Sequence, residues 1–428
     1  MHITVIGSGY VGTTIAACFA DLGHDVTAID IDEEIVETLN DGRSPITEPG
    51  LENLLEAHAG NRLEATTAYD AVPESDVTFL AIGTPSNDDG SIDLGALEAA
   101  AEATGEAVAD KDERHLVVIK STVTPPSIET VLEPAVHRGA DENENIGVGM
   151  NPEFLREGSA VSDFMHPDKL VFGASSEWGT DRLHAVFEPL LEDHDAHVVE
   201  TDPQTAAMIK YANNAFLASK ISLVNDLGNI CKEFDLDAYE VMDAIGIDDR
   251  ISEQFLRSGV GWGGSCFPKD VNAIIAAAQD EDYEPALLEA AVEVNERQPA
   301  RMLEFLSKHV DLEGARIAVL GLAFKPKTDD IRNSRAIPVI EELRDQGADV
   351  VAYDPVAIEP MRDRFPEIEY TTTAAEALDG SDGAAVVTDW DEFATLDEEF
   401  DSMAEPVVVD GRRIVQRQDG ITYEGITW

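Results

Sequence analysis

The sequence predicts an α/β protein, built as two Rossmann-like, doubly wound domains joined by a central helical segment. Three observations carry this expectation. Short apolar runs alternate with helix-period stretches over residues 1–202. The same alternation restarts near residue 316, and between the two halves strand-like runs vanish. Strands alternating with helices imply βαβ units and a parallel sheet. A chain of 428 residues is also too long for one core.

The elements follow in order. His2–Ile6 is a strand, followed by a glycine-rich turn and a helix-like stretch, Gly12–Leu22. Asp25–Ile29 is the second strand, and Glu33–Asn40 is helix-like. Val77–Ile82, Leu116–Ile119, Ile146–Met150 and Leu170–Phe172 are further strand candidates, and they close a first domain at 1–202. Residues 203–300 read as helices only: Gln204–Phe234 without a proline, then Ala238–Gly246, Asp270–Gln279 and Pro285–Arg297. This segment is expected to form a dimer core. In the last domain, 301–428, Arg316–Leu320, Asp349–Tyr353, Ala384–Val387 and Pro406–Val409 read as strands, with a helix at Ala336–Gln346.

Charge narrows the function classes. There are 86 acids against 29 bases, a formal net charge of −57. Nucleic acid and anionic membrane are both disfavoured as partners, because each requires a basic surface. The acids are interleaved with apolar runs rather than blocked, as in a solvated shell on a folded protein. Such a shell repels itself at ordinary ionic strength and is screened by concentrated salt. A halophilic setting is therefore expected. Only ten residues are lysine, so those that remain invite a functional reading. Cys18, Cys231 and Cys266 have no metal spacing and no even disulfide framework, so no metal site is expected. No apolar run is long enough to span a bilayer, and the chain opens directly on a strand, so a cytoplasmic protein is expected.

Gly7-Ser-Gly9-Tyr-Val-Gly12 follows a strand and opens a helix. Gly7 would make the turn, Gly9 would let backbone approach a pyrophosphate, and Gly12 would pack helix on strand. The helix N-terminus would offer free N–H groups to phosphate. Asp30, at the end of the second strand, is placed to accept from a ribose hydroxyl and would repel a 2′-phosphate, so NAD is expected over NADP. Gly83-Thr84-Pro85-Ser86, Ser121-Thr122 and Asn151-Pro-Glu153 follow later strands, where open sheets bind ligands, although turn chemistry favours the same residue types.

Gly261-Trp-Gly-Gly-Ser-Cys-Phe-Pro-Lys-Asp270 places a cysteine just before a helix expected to begin near Pro268. A helix N-terminus and Lys269 would both stabilise a thiolate. The glycines would allow a substrate close to the backbone. Cys18 and Cys231 lie in helical stretches and read as core fillers. Lys210 and Asn214 are four apart on the long helix and share a face.

Together with STV at 121–123, NPEFLREG at 151–158, KYANNAF at 210–216 and GLAFKPKTDDIRNS at 321–334, these stretches resemble the UDP-glucose/GDP-mannose dehydrogenase family over almost the whole chain. The resemblance implies a four-electron oxidation at C6 of a nucleotide sugar. UDP-glucose is the expected substrate and UDP-glucuronate the product, with two NAD⁺ consumed and a hexuronic acid supplied for glycan synthesis. It implies that Cys266 holds the intermediate aldehyde as a thiohemiacetal and then a thioester. Glu153 would be a base for hydrolysis, Lys210 and Asn214 would stabilise an oxyanion, with Lys210 as an alternative base, Asp270 would orient or deprotonate the reacting water or hydroxyl, and Thr122 would help place that water. Cofactor contacts would be Gly7, Gly9, Val11, Gly12, Asp30, Thr84, Thr122, Glu157, Lys269 and Arg332. Substrate contacts would be Glu153, Phe154, Leu155, Arg156 and Glu157, Lys210 and Asn214, Phe255, Leu256, Arg257, Ser258, Gly259 and Gly263, and Lys325. Arg250 would reach the substrate of a neighbouring subunit, so a homodimer or higher homo-oligomer is implied. Ile35 stands where relatives often carry a basic residue. The runners-up are GDP-mannose or a UDP-N-acetylhexosamine as substrate, and, from another class, a non-catalytic NAD-sensing protein.

Overall fold

The computed structural model of the protein describes residues 1–194 and 196–428. It divides into two compact units, Met1–Asn213 and Asn214–Trp428.

The first unit is built on an eight-stranded sheet. Its strands are β1 (His2–Ile6), β2 (Asp25–Ile29), β3 (Leu63–Thr66), β4 (Val77–Leu80), β5 (His115–Ile119), β6 (Ile146–Met150), β7 (Lys169–Ala174) and β8 (His197–Thr201). The order is β3-β2-β1-β4-β5-β6-β7-β8. All described pairings are parallel except β6 with β7. Alternate side chains serve opposite layers. Ile3, Val5, Leu116 and Val118 pack with Phe19, Phe164 and Phe187 on one face. Ile6, Val117 and Ile119 pack with Leu97, Leu132 and Val136 on the other. Burial on both faces is why these strands read as near-continuous apolar runs. The strands that the sequence reading omitted, β3 and β8, lie at the sheet's two edges and carry Glu64 and Glu200. Edge strands tolerate charge, which erases the apolar signal. β4 ends at Leu80, two residues before the expected Ile82, and β7 runs longer than Leu170–Phe172.

In the second unit, helices precede a six-stranded parallel sheet. The helix Pro203–Glu233 enters it, followed by Ala238–Gly246, Phe267–Asp280 and Ala286–Ser307. The strands are β9 (Arg316–Leu320), β10 (Asp349–Tyr353), β11 (Glu369–Tyr370), β12 (Gly383–Val386), β13 (Val407–Asp410) and β14 (Thr422–Gly425), in the order β11-β10-β9-β12-β13-β14. Ala286–Ser307 runs past the expected stop at Arg297, with Pro299 inside it. Proline costs a hydrogen bond there. The burial of Met302, Leu303, Phe305 and Leu306 in the core of the second sheet outweighs that loss. No described helix is long and apolar enough to cross a membrane.

Candidate active site

The strand order reverses across β1, and a ligand crevice is expected beyond the strand ends at that switch point. Gly7 turns the chain with φ +93 and donates its N–H to Ile29 O at 2.8 Å. A Cβ on Gly12 would lie 1.7 Å from Gly7 O, so helix and turn touch only because residue 12 is glycine. A Cβ on Gly9 would meet nothing within 4 Å. The turn therefore leaves open space where a pyrophosphate is expected, with the free N–H groups of the helix Tyr10–Asp21 behind it. Asp30 faces this turn: Ser8 N donates to Oδ2 at 2.6 Å and Asp32 N to Oδ1 at 3.0 Å. Thr84 Oγ1 donates to Thr122 O at 2.9 Å, which joins the loops after β4 and β5. Val11 packs against the core. These residues fit a dinucleotide.

The second sheet repeats the turn and closes it. Gly321 has φ +92 and donates to Tyr353 O at 2.8 Å. Asp354 follows β10 as Asp30 follows β2. Its carboxylate is fully buried and accepts from Leu322 N, Ala323 N, Val356 N, Ala357 N and Trp390 Nε1. Five donors leave no lone pair for a ribose.

The loop after β6 carries Asn151, Glu153 and Glu157. Glu153 is 8% exposed and Lys210 4%. Lys210 Nζ donates to Glu153 Oε1 at 2.7 Å, and Leu155 N donates to Oε2 at 2.6 Å. Burial pushes the Glu153 carboxyl up, but the charge and hydrogen bond of Lys210, the Leu155 N–H and the charge of Lys120 together hold it below the usual carboxylate range. Lys120 is itself buried, and donates to Asn151 Oδ1 at 2.8 Å. Burial brings its ammonium down to about 7, with Glu153 opposing and Lys210 adding to the shift. Lys169 lies 4.2 Å above the Phe154 ring. Two of the ten lysines, Lys120 and Lys210, thus act on one buried glutamate. Arg156 is turned outward and held by Asp163. Leu155 packs against the core.

In the second unit, Cys266 is the N-cap of Phe267–Asp280 and is exposed, whereas Cys18 and Cys231 are buried. The helix begins at Phe267, so Pro268 stands within its first turn. Asp270 is buried, with Lys269 Nζ on Oδ1 at 2.7 Å and Asn214 Nδ2 on Oδ2 at 2.6 Å. The preceding glycines have packing reasons. A Cβ on Gly263 would lie 2.1 Å from Asn333 O, on Gly264 2.7 Å from the Phe324 ring, and on Gly261 2.5 Å from Asn295 Oδ1. A Cβ on Gly259 would lie 2.3 Å from Gly411 O. The space that these missing side chains leave is taken by the protein itself. Asn225 accepts from Gly259 N, Gln298 donates to Gly259 O, and Asn295 bonds both N and O of Trp262. Gly264 N donates to Arg332 O at 2.9 Å and Asn333 Nδ2 to Gly264 O at 3.1 Å, so this loop is stitched to the one bearing Lys325 and Arg332.

The other expected substrate residues of this unit are spread over its surface and core. Leu256 and Ser258 are buried, while Phe255 is exposed with φ +60. Arg257 pairs with Asp243 at 2.6 Å. Arg250 is 88% exposed and held by Asp248. Arg332 pairs with Asp330, and Lys325 Nζ lies 5.3 Å from the Phe324 ring centre. Sequence reasoning gave no role to Glu48, Lys120, Asn225, Asn295 or Gln298. A lone lysine in an acid-rich chain was the one available signal, and only for Lys120.

The models of the UDP-glucose/GDP-mannose dehydrogenase family match this chain in three parts: the NAD binding domain over residues 1–191, the central domain over 204–297 and the UDP binding domain over 318–417. The chain is 59% identical to UDP-glucose 6-dehydrogenase AglM of Haloferax volcanii, with 100% of each covered. It is similar to the solved UDP-glucose dehydrogenase of Pyrobaculum islandicum, at a TM-score of 0.94 and 40% identity, covering 100% of this chain and 98% of that one. The GDP-mannose dehydrogenase of Pseudomonas aeruginosa is less similar, at a TM-score of 0.57 and 32% identity with 100% of both covered.

Proposed function

The chain belongs to the UDP-glucose/GDP-mannose dehydrogenase family, and from that premise we infer that it is an NAD-dependent UDP-glucose 6-dehydrogenase. The observation that carries the reading is Cys266, the one exposed cysteine of three, at a helix N-cap. A thiolate there is favoured by the helix dipole.

Overall, the primary alcohol, two NAD⁺ and one water become a carboxylate, two NADH and three protons. NAD⁺, held by the Gly7–Gly12 turn and Asp30, supplies a hydride acceptor for each oxidation. Cys266 Sγ adds to the C6 aldehyde, so the intermediate stays bound and the second oxidation leaves a thioester. Lys210 and Asn214 stabilise negative charge on the C6 oxygen. Glu153 takes the proton from water as the thioester hydrolyses, and Asp270 and Thr122 orient the reacting groups.

The Lys210–Glu153 pair supports an order of events. While paired, Glu153 is ionised but a weak base, and an effective general base needs a proton affinity near the working pH. Drawing Lys210 onto the oxyanion returns basicity to Glu153 at the step that needs it.

A homodimer is also part of this reading. Leu223, Leu227 and Ile230 are exposed at spacings of four and three on the helix Pro203–Glu233, with Phe216 seven residues before them and Phe234 just past the helix end, an apolar stripe broken only by Ser219 and Lys220. The protruding Arg250 fits a role in a neighbouring subunit. The acidic surface supports work in a salt-rich cytoplasm, and the product would supply hexuronic acid to glycan synthesis.

The test is stoichiometric. Purified protein in concentrated KCl with UDP-glucose and NAD⁺ should give two NADH per sugar. One or none overturns the four-electron reading, and faster turnover of GDP-mannose would replace the substrate.

A further inference from the structure

Glu48 lies in the segment between β2 and β3, far along the chain from the residues that bind it, and is 7% exposed. Its carboxylate gathers three separate stretches. The Tyr10 phenol donates to Oε2. Gly158 N donates to the same oxygen at 2.8 Å, and Ala160 N donates to Oε1 at 2.8 Å. Gly158 N also lies 3.1 Å from Tyr10 Oη. Tyr10 is the first residue of the helix that opens behind Gly9, and Gly158 lies near the end of the loop that carries Glu153 and Glu157. Burial, and then Glu48 itself, raise the Tyr10 phenol above its ordinary value, so it stays protonated and donates. Fastening the segment to the fold does not require this carboxylate, because Leu51 and Leu55 are already fully buried in the core beside it. What the carboxylate adds is direction: hydrogen bonds to a charged group are stronger and more oriented than apolar contact.

We propose that Tyr10 and Glu48 are a positioning pair that ties the dinucleotide turn to the 151–159 loop, so that seating a pyrophosphate on the turn fixes the placement of Glu153 and Glu157. The inference rests on the roles given to those residues above. Neither Tyr10 nor Glu48 needs to touch the reacting atoms. Tyr10 moves with the turn, Glu48 follows the phenol, and the Gly158 and Ala160 amides follow Glu48. Gly158, with φ +82 and nothing within 4 Å of its Cβ position, supplies the pliable joint.

Amide hydrogen exchange over 151–160, read with and without NAD⁺, tests this alongside steady-state kinetics. In the wild-type protein NAD⁺ should slow exchange in that peptide. In Tyr10→Phe and Glu48→Gln, exchange at Gly158 and Ala160 should be faster by about tenfold, and NAD⁺ should no longer slow it. The KM for NAD⁺ should rise while the melting temperature stays close to wild type. An NAD⁺ response in both variants equal to wild type overturns the proposal. If Glu48→Gln fails to fold, Tyr10→Phe decides alone, since it removes one hydroxyl and no charge. Full activity in Glu153→Gln would remove the role given to Glu153 and leave the exchange response intact, so the two failures are distinct.

Discussion

Lys210 Nζ donates to Glu153 Oε1 at 2.7 Å, and both side chains are almost wholly out of water. Breaking one partner of such a buried pair typically costs ~3–5 kcal/mol, because the other charge is left unpaired. Glu153→Gln should lower kcat by about 10²–10⁴-fold and weaken the fold at neutral pH. The folded carboxyl sits below its ordinary range, so the stabilisation is complete above that range and is lost as pH falls through the folded value. Thermal melts from about pH 6 down to about pH 3 should therefore fall more steeply for wild type than for Glu153→Gln. Parallel curves would remove the pair from the stability of the protein.

Cys266→Ser should keep UDP-glucose binding, measured by calorimetry, and lose sustained formation of two NADH per sugar. Serine is a poorer nucleophile and a poorer leaving group than a thiolate. Undiminished turnover would take Cys266 out of the chemistry.

Gly263→Ala should destabilise the second unit. The added methyl would meet Asn333 O at 2.1 Å, a backbone atom that cannot step aside cheaply. Overpacking of this kind costs ~1–3 kcal/mol, readable as a lower urea midpoint. A neutral effect would show that the loop yields.

Leu223→Glu combined with Leu227→Glu places two charges on the exposed apolar stripe of the long helix. Light scattering should report monomer where wild type is a dimer. An unchanged mass would move the interface elsewhere.

Raising KCl from about 0.1 M to about 1 M shortens the screening length from roughly 10 Å to roughly 3 Å. With a formal charge of −57, the melting temperature should rise with salt. A flat or falling profile would contradict a self-repelling shell.

Much of this protein can be read locally. β1, β2 and β5 declare themselves because each buries apolar side chains on both faces, and Gly7 and Gly12 declare the nucleotide turn because the positive φ of one and the close approach of the other to Gly7 O are backbone demands met within six residues. β3 and β8 were illegible because an edge strand bears charge without penalty. The length of Ala286–Ser307 was illegible because Pro299 breaks the local pattern, while the burial that rescues it comes from strands later in the chain.

The sequence by itself determined the order of α/β, helical and α/β segments, the nucleotide turn and the one cysteine at a helix start. All of these follow from spacing and side-chain type within a few residues. Only the tertiary structure decided that Lys210 tethers Glu153, that Glu48 reaches Tyr10 and Gly158, and that Gly263 is empty for the sake of Asn333 O. These partners lie tens of residues or more apart in the chain. Which of them meet is settled by how the strands, helices and loops of each unit pack, and no local window of sequence contains that packing.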